Sequence, residues 1–254
     1  MRRDRVEVKM YSDFKSPYAF LAFDPAFALE DKYHITLKWK PFQLRLKGKG
    51  ERSQYSEYKV KYSYMDARRW ANMRGGLVLR GPLKIFDTTP ALIGGLYAER
   101  HGKIRDYGNK VFELFFKREL AADEASAVEP VIESVGLSAQ GYRDYLAGGG
   151  PLDYERAQQD AATDQVFGVP MFYFQNEPFW GYDRMGLLEQ RLTEADLKRE
   201  PPFNRPGKAA QCWTFISGLR PTDTRSRSCS KNWDSTITSC RFTSAKASSS
   251  ARTS

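Results

Sequence analysis

Ser16 stands where a run of alternating residues meets a proline, in Ser12-Asp13-Phe14-Lys15-Ser16-Pro17, and that placement gives a plain hydroxyl chemical interest. A serine just before a proline can cap a helix, because its oxygen accepts from a backbone N–H of the first turn. Proline at the first helical position forfeits no hydrogen bond. The same helix end presents free N–H groups and about half a positive charge, so it can hold an anion such as a thiolate beside the hydroxyl. Capping and anion chemistry are compatible there. A second stretch, Val166-Phe167-Gly168-Val169-Pro170-Met171-Phe172, opens a strand with a proline directly after a helix. That is consistent with a cis bond before Pro170 presenting backbone groups, although only about 5% of such bonds are cis and the stretch says little alone.

Both stretches need elements to carry them. Val6 to Tyr11 alternates apolar and polar residues and predicts a strand, which runs straight into the helix opened by Pro17. That helix extends to about Tyr33 and should kink or restart at Asp24-Pro25, with Asp24 as a second cap. Ile35 to Pro41 alternates again, completing a β-α-β unit. From about Gln43 to Gly150 the period is helical, with segments at Tyr55 to Met73, Pro90 to His101, Ile104 to Glu119, Ala125 to Val135 and Ser138 to Leu146. Gly148-Gly149-Gly150 reads as a separator before a further helix, Tyr154 to Val166. Pro170 to Phe174, a polar turn Gln175-Asn176-Glu177, and Pro178 to Gly181 form a hairpin, followed by a last helix from about Asp183 to Leu192.

Composition bounds the function classes. The net charge of +9 is concentrated after residue 204, where nine Lys and Arg face two Asp, so the first 204 residues carry only +2. A basic nucleic-acid-binding face is therefore not expected in the folded part, and no partner nucleic acid is read. No apolar run approaches the roughly 20 residues that span a bilayer, so no membrane role is expected and a cytoplasmic protein is. Cys212, Cys229 and Cys240 all lie in the last fifty residues, and His34 and His101 read as surface or helix-end residues; no metal centre is expected. Residues 205–254 hold eleven Ser and seven Thr with scattered Arg and Lys, a composition expected to stay disordered.

Taken together, the motifs carry a resemblance. Asp13-Phe14-Lys15-Ser16-Pro17-Tyr18, with Leu21-Ala22 after it, is followed far along the chain by Phe167-Gly168-Val169-Pro170 and by Trp180-Gly181-Tyr182-Asp183-Arg184. Between them lie Lys59-Val60-Lys61-Tyr62, Asp66 and Arg69-Trp70. Over about residues 6 to 193 the chain resembles the glutathione-dependent 2-hydroxychromene-2-carboxylate isomerases and kappa-class glutathione transferases, which share a DsbA-like thioredoxin fold. The resemblance implies an α/β chain in the order β-α-β … α-β-β-α, with a thioredoxin-like domain at 1–42 and 153–200 and an inserted helical domain at 43–152. Where related disulfide oxidoreductases carry C-x-x-C, this sequence has Ser16-Pro17-Tyr18-Ala19, so it cannot cycle its own disulfide there, and the resemblance implies that its sulfur is supplied by glutathione.

The resemblance implies a role for each matching position. Ser16 holds the glutathione sulfur as thiolate, and Val169, before a cis Pro170, pairs its backbone with the cysteinyl segment. Asp183, with the backbone at Tyr182, receives the γ-glutamyl amino group, and Lys59 reaches the glycine carboxylate. Plainer readings stand beside these: Lys59 as a solvated lysine of a basic helix, Asp183 as a helix cap, Trp180 as a core residue. Arg45, Lys47 and Lys49 read as a solvated loop, the alternative being attraction of a carboxylate substrate. The implied reaction is a cis-trans isomerisation of a small aromatic substrate through a reversible thiolate adduct, in a homodimer. A kappa-type transferase or peroxidase, and a non-catalytic thioredoxin-like binding module, are the alternatives.

Overall fold

The computed structural model describes residues 5–44, 54–84 and 86–199; Arg45, Lys47, Lys49 and the Ser/Thr-rich stretch from residue 205 lie outside them. Two alternating segments become parallel strands, β1 (Val6–Ser12) and β2 (Ile35–Pro41), paired from Val6 against Ile35 to Ser12 against Pro41. The hairpin strands β3 (Met171–Phe174) and β4 (Glu177–Trp180) complete a four-stranded sheet in the order β2-β1-β3-β4, with β3 antiparallel to β1. The turn between them has two residues, Gln175 and Asn176, both at positive φ, as a tight hairpin requires; Glu177 belongs to the strand.

Helix α1 (Pro17–Phe27) follows β1 and passes through Pro25 without the expected break; the chain restarts only at α2 (Leu29–Lys32). Proline at that position removes the N–H that would bond the Leu21 carbonyl. The vacancy is filled from elsewhere: the Arg74 guanidinium, at the end of α3 (Gln54–Arg74), donates to that carbonyl. Asp24 is therefore no cap. Its carboxylate accepts from Arg105 at 3.0 Å and Asn109 at 3.2 Å on α5 (Ile104–Lys117).

The inserted helices continue with α4 (Thr89–Arg100), α6 (Ala125–Ser134), α7 (Ala139–Ala147) and α8 (Gly150–Thr163). Helix α8 starts four residues before the sequence suggests, and Gly150 is part of it. A Cβ there would meet Ile93 and the Tyr145 carbonyl, each at 2.7 Å, so this glycine permits a close approach instead of marking a linker. Sheet and inserted helices share one apolar core: Val8, Met10 and Trp39 from the strands pack with Leu92, Phe112 and Tyr142 from the helices. On the opposite face of the sheet Tyr11 and Met171 lie against Ala161 of α8. A single 3-10 turn (Tyr182–Arg184) leads into the final helix α9 (Met185–Glu194).

Candidate active site

The loop Asp13-Phe14-Lys15 delivers Ser16 to the start of α1, and three anchors fix that loop. Phe14 is fully buried, its ring 5.8 Å from Trp39 and 5.0 Å from Phe112, so the loop is plugged into the core by a side chain whose burial contributes about 2–3 kcal/mol. The Asp13 carbonyl accepts from the Ser16 N–H at 3.0 Å. The Asp13 carboxylate, fully buried, is the third anchor. It accepts from the Thr88 hydroxyl at 2.7 Å, the Leu44 N–H at 2.8 Å and the Lys15 N–H at 3.2 Å, and pairs with the Lys15 ammonium at 3.2 Å. One carboxylate thus ties together the turn into α1, the chain leaving β2 and the residue that precedes α4. A buried charge needs such an array of donors, since an unpaired one costs several kcal/mol.

Ser16 caps α1 as its sequence context predicts. Its oxygen accepts from the Ala19 N–H at 3.2 Å, and its hydroxyl donates to the Val169 carbonyl at 3.2 Å. Ser16, Val169 and Pro170 are all buried, and the Val169–Pro170 bond is cis. Residues 153 apart in sequence are therefore in direct contact at the positive end of α1. Among the described residues there is no cysteine, and no group of three His, Cys, Asp or Glu side chains able to hold a metal.

The next ring of residues is aromatic. Tyr18, in the first turn of α1, donates to Asp66 of α3 at 2.9 Å; burial, then that carboxylate, hold its hydroxyl well above the ordinary tyrosine range. Trp70, one helical turn beyond Asp66, meets Tyr182 edge to face at 5.5 Å. Tyr64, also on α3, is pushed up to about 12 by burial and then by the charge of Asp13. Lys59 is exposed on α3, seven residues before Asp66, which places it about 10 Å along the axis on the same helical face. Its backbone carbonyl accepts from Ser63.

Asp183 lies in the 3-10 turn, more than half exposed, with its carboxylate 3.2 Å from the Arg184 guanidinium. Neither that turn nor α9 has a side-chain cap, so the reading of Asp183 as a helix cap is corrected. The 3-10 turn that carries Asp183 packs against α1. Trp180 is also corrected: it is 49% exposed and not a core residue. Alternation in β4 turns Phe179 inward and Trp180 outward on the edge strand. Its indole rests on Gly168, where a Cβ would lie 2.7 Å from Nε1, and meets Phe167 edge to face at 4.9 Å.

The structure brings Ser16, Val169 and Pro170 into one contact and sets Tyr182 against α3. Lys59 and Asp183 are both exposed, and among the described residues no hydrogen bond or ion pair joins either of them to Ser16 or Val169. Sequence reasoning missed Asp13 and Thr88 as the supports of Ser16. The signal for Asp13 was its place in the same short motif; Thr88 offered none.

The model of the DSBA-like thioredoxin domain matches residues 7–193, most of the chain. The chain belongs to that family. Within the DSBA-like family it is related at distance to 2-hydroxychromene-2-carboxylate isomerases: 28% identity over 191 residues to that of Pseudomonas putida, covering 73% of this chain and 93% of the relative. To the enzyme of Pseudomonas sp. strain C18 it is 26% identical over 201 residues, covering 77% and 94%. A solved structure of 2-hydroxychromene-2-carboxylate isomerase superposes with a TM-score of 0.65 at 25% identity, covering 75% of this chain and 96% of the other. The relatedness of this DSBA-like chain is thus to an isomerase-type enzyme family.

Proposed function

We propose that the chain is a glutathione-dependent cis-trans isomerase for aromatic-degradation intermediates of the 2-hydroxychromene-2-carboxylate kind. The observation that carries this reading is the Ser16 hydroxyl, seated at the N-terminus of α1 against the Val169 carbonyl, with no thiol among the described residues. The isomerases named above, matched over nine-tenths of their length, supply the reaction class.

The donor set fits a zwitterionic tripeptide thiol. An exposed carboxylate at Asp183 suits an ammonium, an exposed ammonium at Lys59 suits a carboxylate, and a hydroxyl on a helix N-terminus suits a thiolate. When bound, glutathione would supply the thiolate that adds to and later leaves the unsaturated keto acid, freeing one bond to rotate with no net redox change. Ser16 would turn its O–H from the Val169 carbonyl towards the sulfur while its oxygen keeps the Ala19 N–H, so the cap survives the switch. Lowering a thiol pKa by about two units takes about 2.7 kcal/mol of preference for the anion, within reach of one charge-assisted hydrogen bond plus a helix end. Val169 would offer its backbone to the cysteinyl segment in the manner of an added strand. Trp70 and Tyr182, both partly exposed and in edge-to-face contact, would offer an aromatic substrate apolar ring surface.

The test is a pH titration of the ultraviolet thiolate band with glutathione bound. Wild type should show thiolate below pH 7, and Ser16→Ala a markedly smaller band at the same pH together with loss of isomerase turnover. A wild-type chain that binds no glutathione, or a Ser16→Ala variant with an unchanged band, overturns the reading.

A further inference from the structure

We propose that Lys15 sets the charge at the sulfur site, its ammonium cancelling the buried Asp13 carboxylate that would otherwise oppose a thiolate at the start of α1. This deepens the glutathione reading and rests on it. Asp13 and Lys15 flank Phe14 in the loop that delivers Ser16; the Asp13 side chain is 0% exposed and that of Lys15 only 13%. A fixed anion in this place works against the N–H groups of α1, because two negative groups close together raise each other's proton affinity.

Thr88 and the N–H groups of Lys15 and Leu44 solvate the Asp13 charge without removing it. Among the described residues Lys15 is the cation paired with it, at 3.2 Å. The groups on neighbouring elements leave this balance in place. Tyr64 on α3, with Arg68 beyond it, faces Asp13 and is neutral at working pH, its hydroxyl being pushed up to about 12. Tyr18 is neutral as well, held by Asp66, and Asp66 faces Arg69 at 3.9 Å. Asp183 faces Arg184. Removing the Lys15 charge therefore leaves Asp13 as the uncompensated anion nearest Ser16 in sequence. A change of one unit charge beside the residue that precedes α1 should move the bound thiol by about one pKa unit.

The test titrates the thiolate band of glutathione bound to the full chain, in wild type, Lys15→Met, Lys15→Arg, Asp13→Asn and the Asp13→Asn/Lys15→Met double variant. The midpoint should rise by about one unit in Lys15→Met, a tenfold loss of thiolate at fixed pH. It should return in Lys15→Arg, fall below wild type in Asp13→Asn, and lie near wild type in the double variant. If Lys15→Met binds glutathione with an unmoved midpoint and merely melts lower, the pair is structural and the proposal is overturned while the glutathione reading stands. If wild type binds no glutathione, both fall. Should Asp13→Asn fail to fold, the contrast between Lys15→Met and Lys15→Arg decides alone.

Discussion

Two carboxylates flank the start of α1 and are built in opposite ways. Asp13 is fully buried and saturated by four donors from the turn into α1, the chain leaving β2 and the residue before α4. Asp183 sits on the surface of a one-turn 3-10 segment, faced by its own neighbour Arg184. The difference separates framework from contact. A group whose every acceptor site is used can hold a geometry but cannot greet a ligand; an exposed group with spare acceptors can greet one while contributing little to the fold.

Breaking the framework should cost most. Asp13→Ala leaves the Lys15 ammonium mostly buried without its partner and three further donors unpaired, and should lower stability by about 3–5 kcal/mol. Chemical denaturation read by tryptophan fluorescence checks this, and a loss below about 1 kcal/mol would erase the contrast between the two carboxylates. Arg74→Met comes next. The Leu21 carbonyl, deprived of an N–H by Pro25, would lose its guanidinium donor, for an expected loss of about 1–3 kcal/mol by the same measurement.

Glu99 on α4 is a third kind of carboxylate, half-buried and raised above the ordinary glutamate range by that burial, with Lys38 and Lys40 pulling the other way. A folded-state value above the unfolded one means the folded chain binds the proton more tightly. Stability therefore falls as pH climbs from the ordinary glutamate range through the raised value, and stays lower above it. Glu99→Gln should melt slightly above wild type near neutral pH, by up to about 0.5 kcal/mol, with the gap closing as the pH approaches about 4. Asp183→Asn should have the smallest effect on the fold, within about 0.5 kcal/mol of wild type, while weakening glutathione binding in calorimetry. A stability loss as large as that of Asp13→Ala would place both carboxylates in the framework.

What the sequence spelled locally was legible from it. Ser16 before Pro17 spelled the cap, Gln175-Asn176-Glu177 between two β-like runs spelled the hairpin, although Glu177 belongs to the strand, and Val169-Pro170 led into a strand as expected. Interactions closed by the fold were not legible. Asp13 finds Leu44 and Thr88 at separations of 31 and 75 residues, and Arg74 reaches Leu21 across 53, distances over which no periodicity speaks. Gly150 was misread as a separator, whereas its smallness lets α8 close on Ile93; Gly168 likewise gives the Trp180 indole a seat at the edge of the sheet. In both places the deciding neighbour lies on another element.

A candidate site with serine at its helix N-terminus has a practical corollary. Residues 1–204 contain no cysteine, so peroxide or a maleimide dye finds no thiol within them to modify. A fluorophore of that type can couple to the native chain only at Cys212, Cys229 or Cys240, which leaves Ser16 and its supports unlabelled while the molecule is followed.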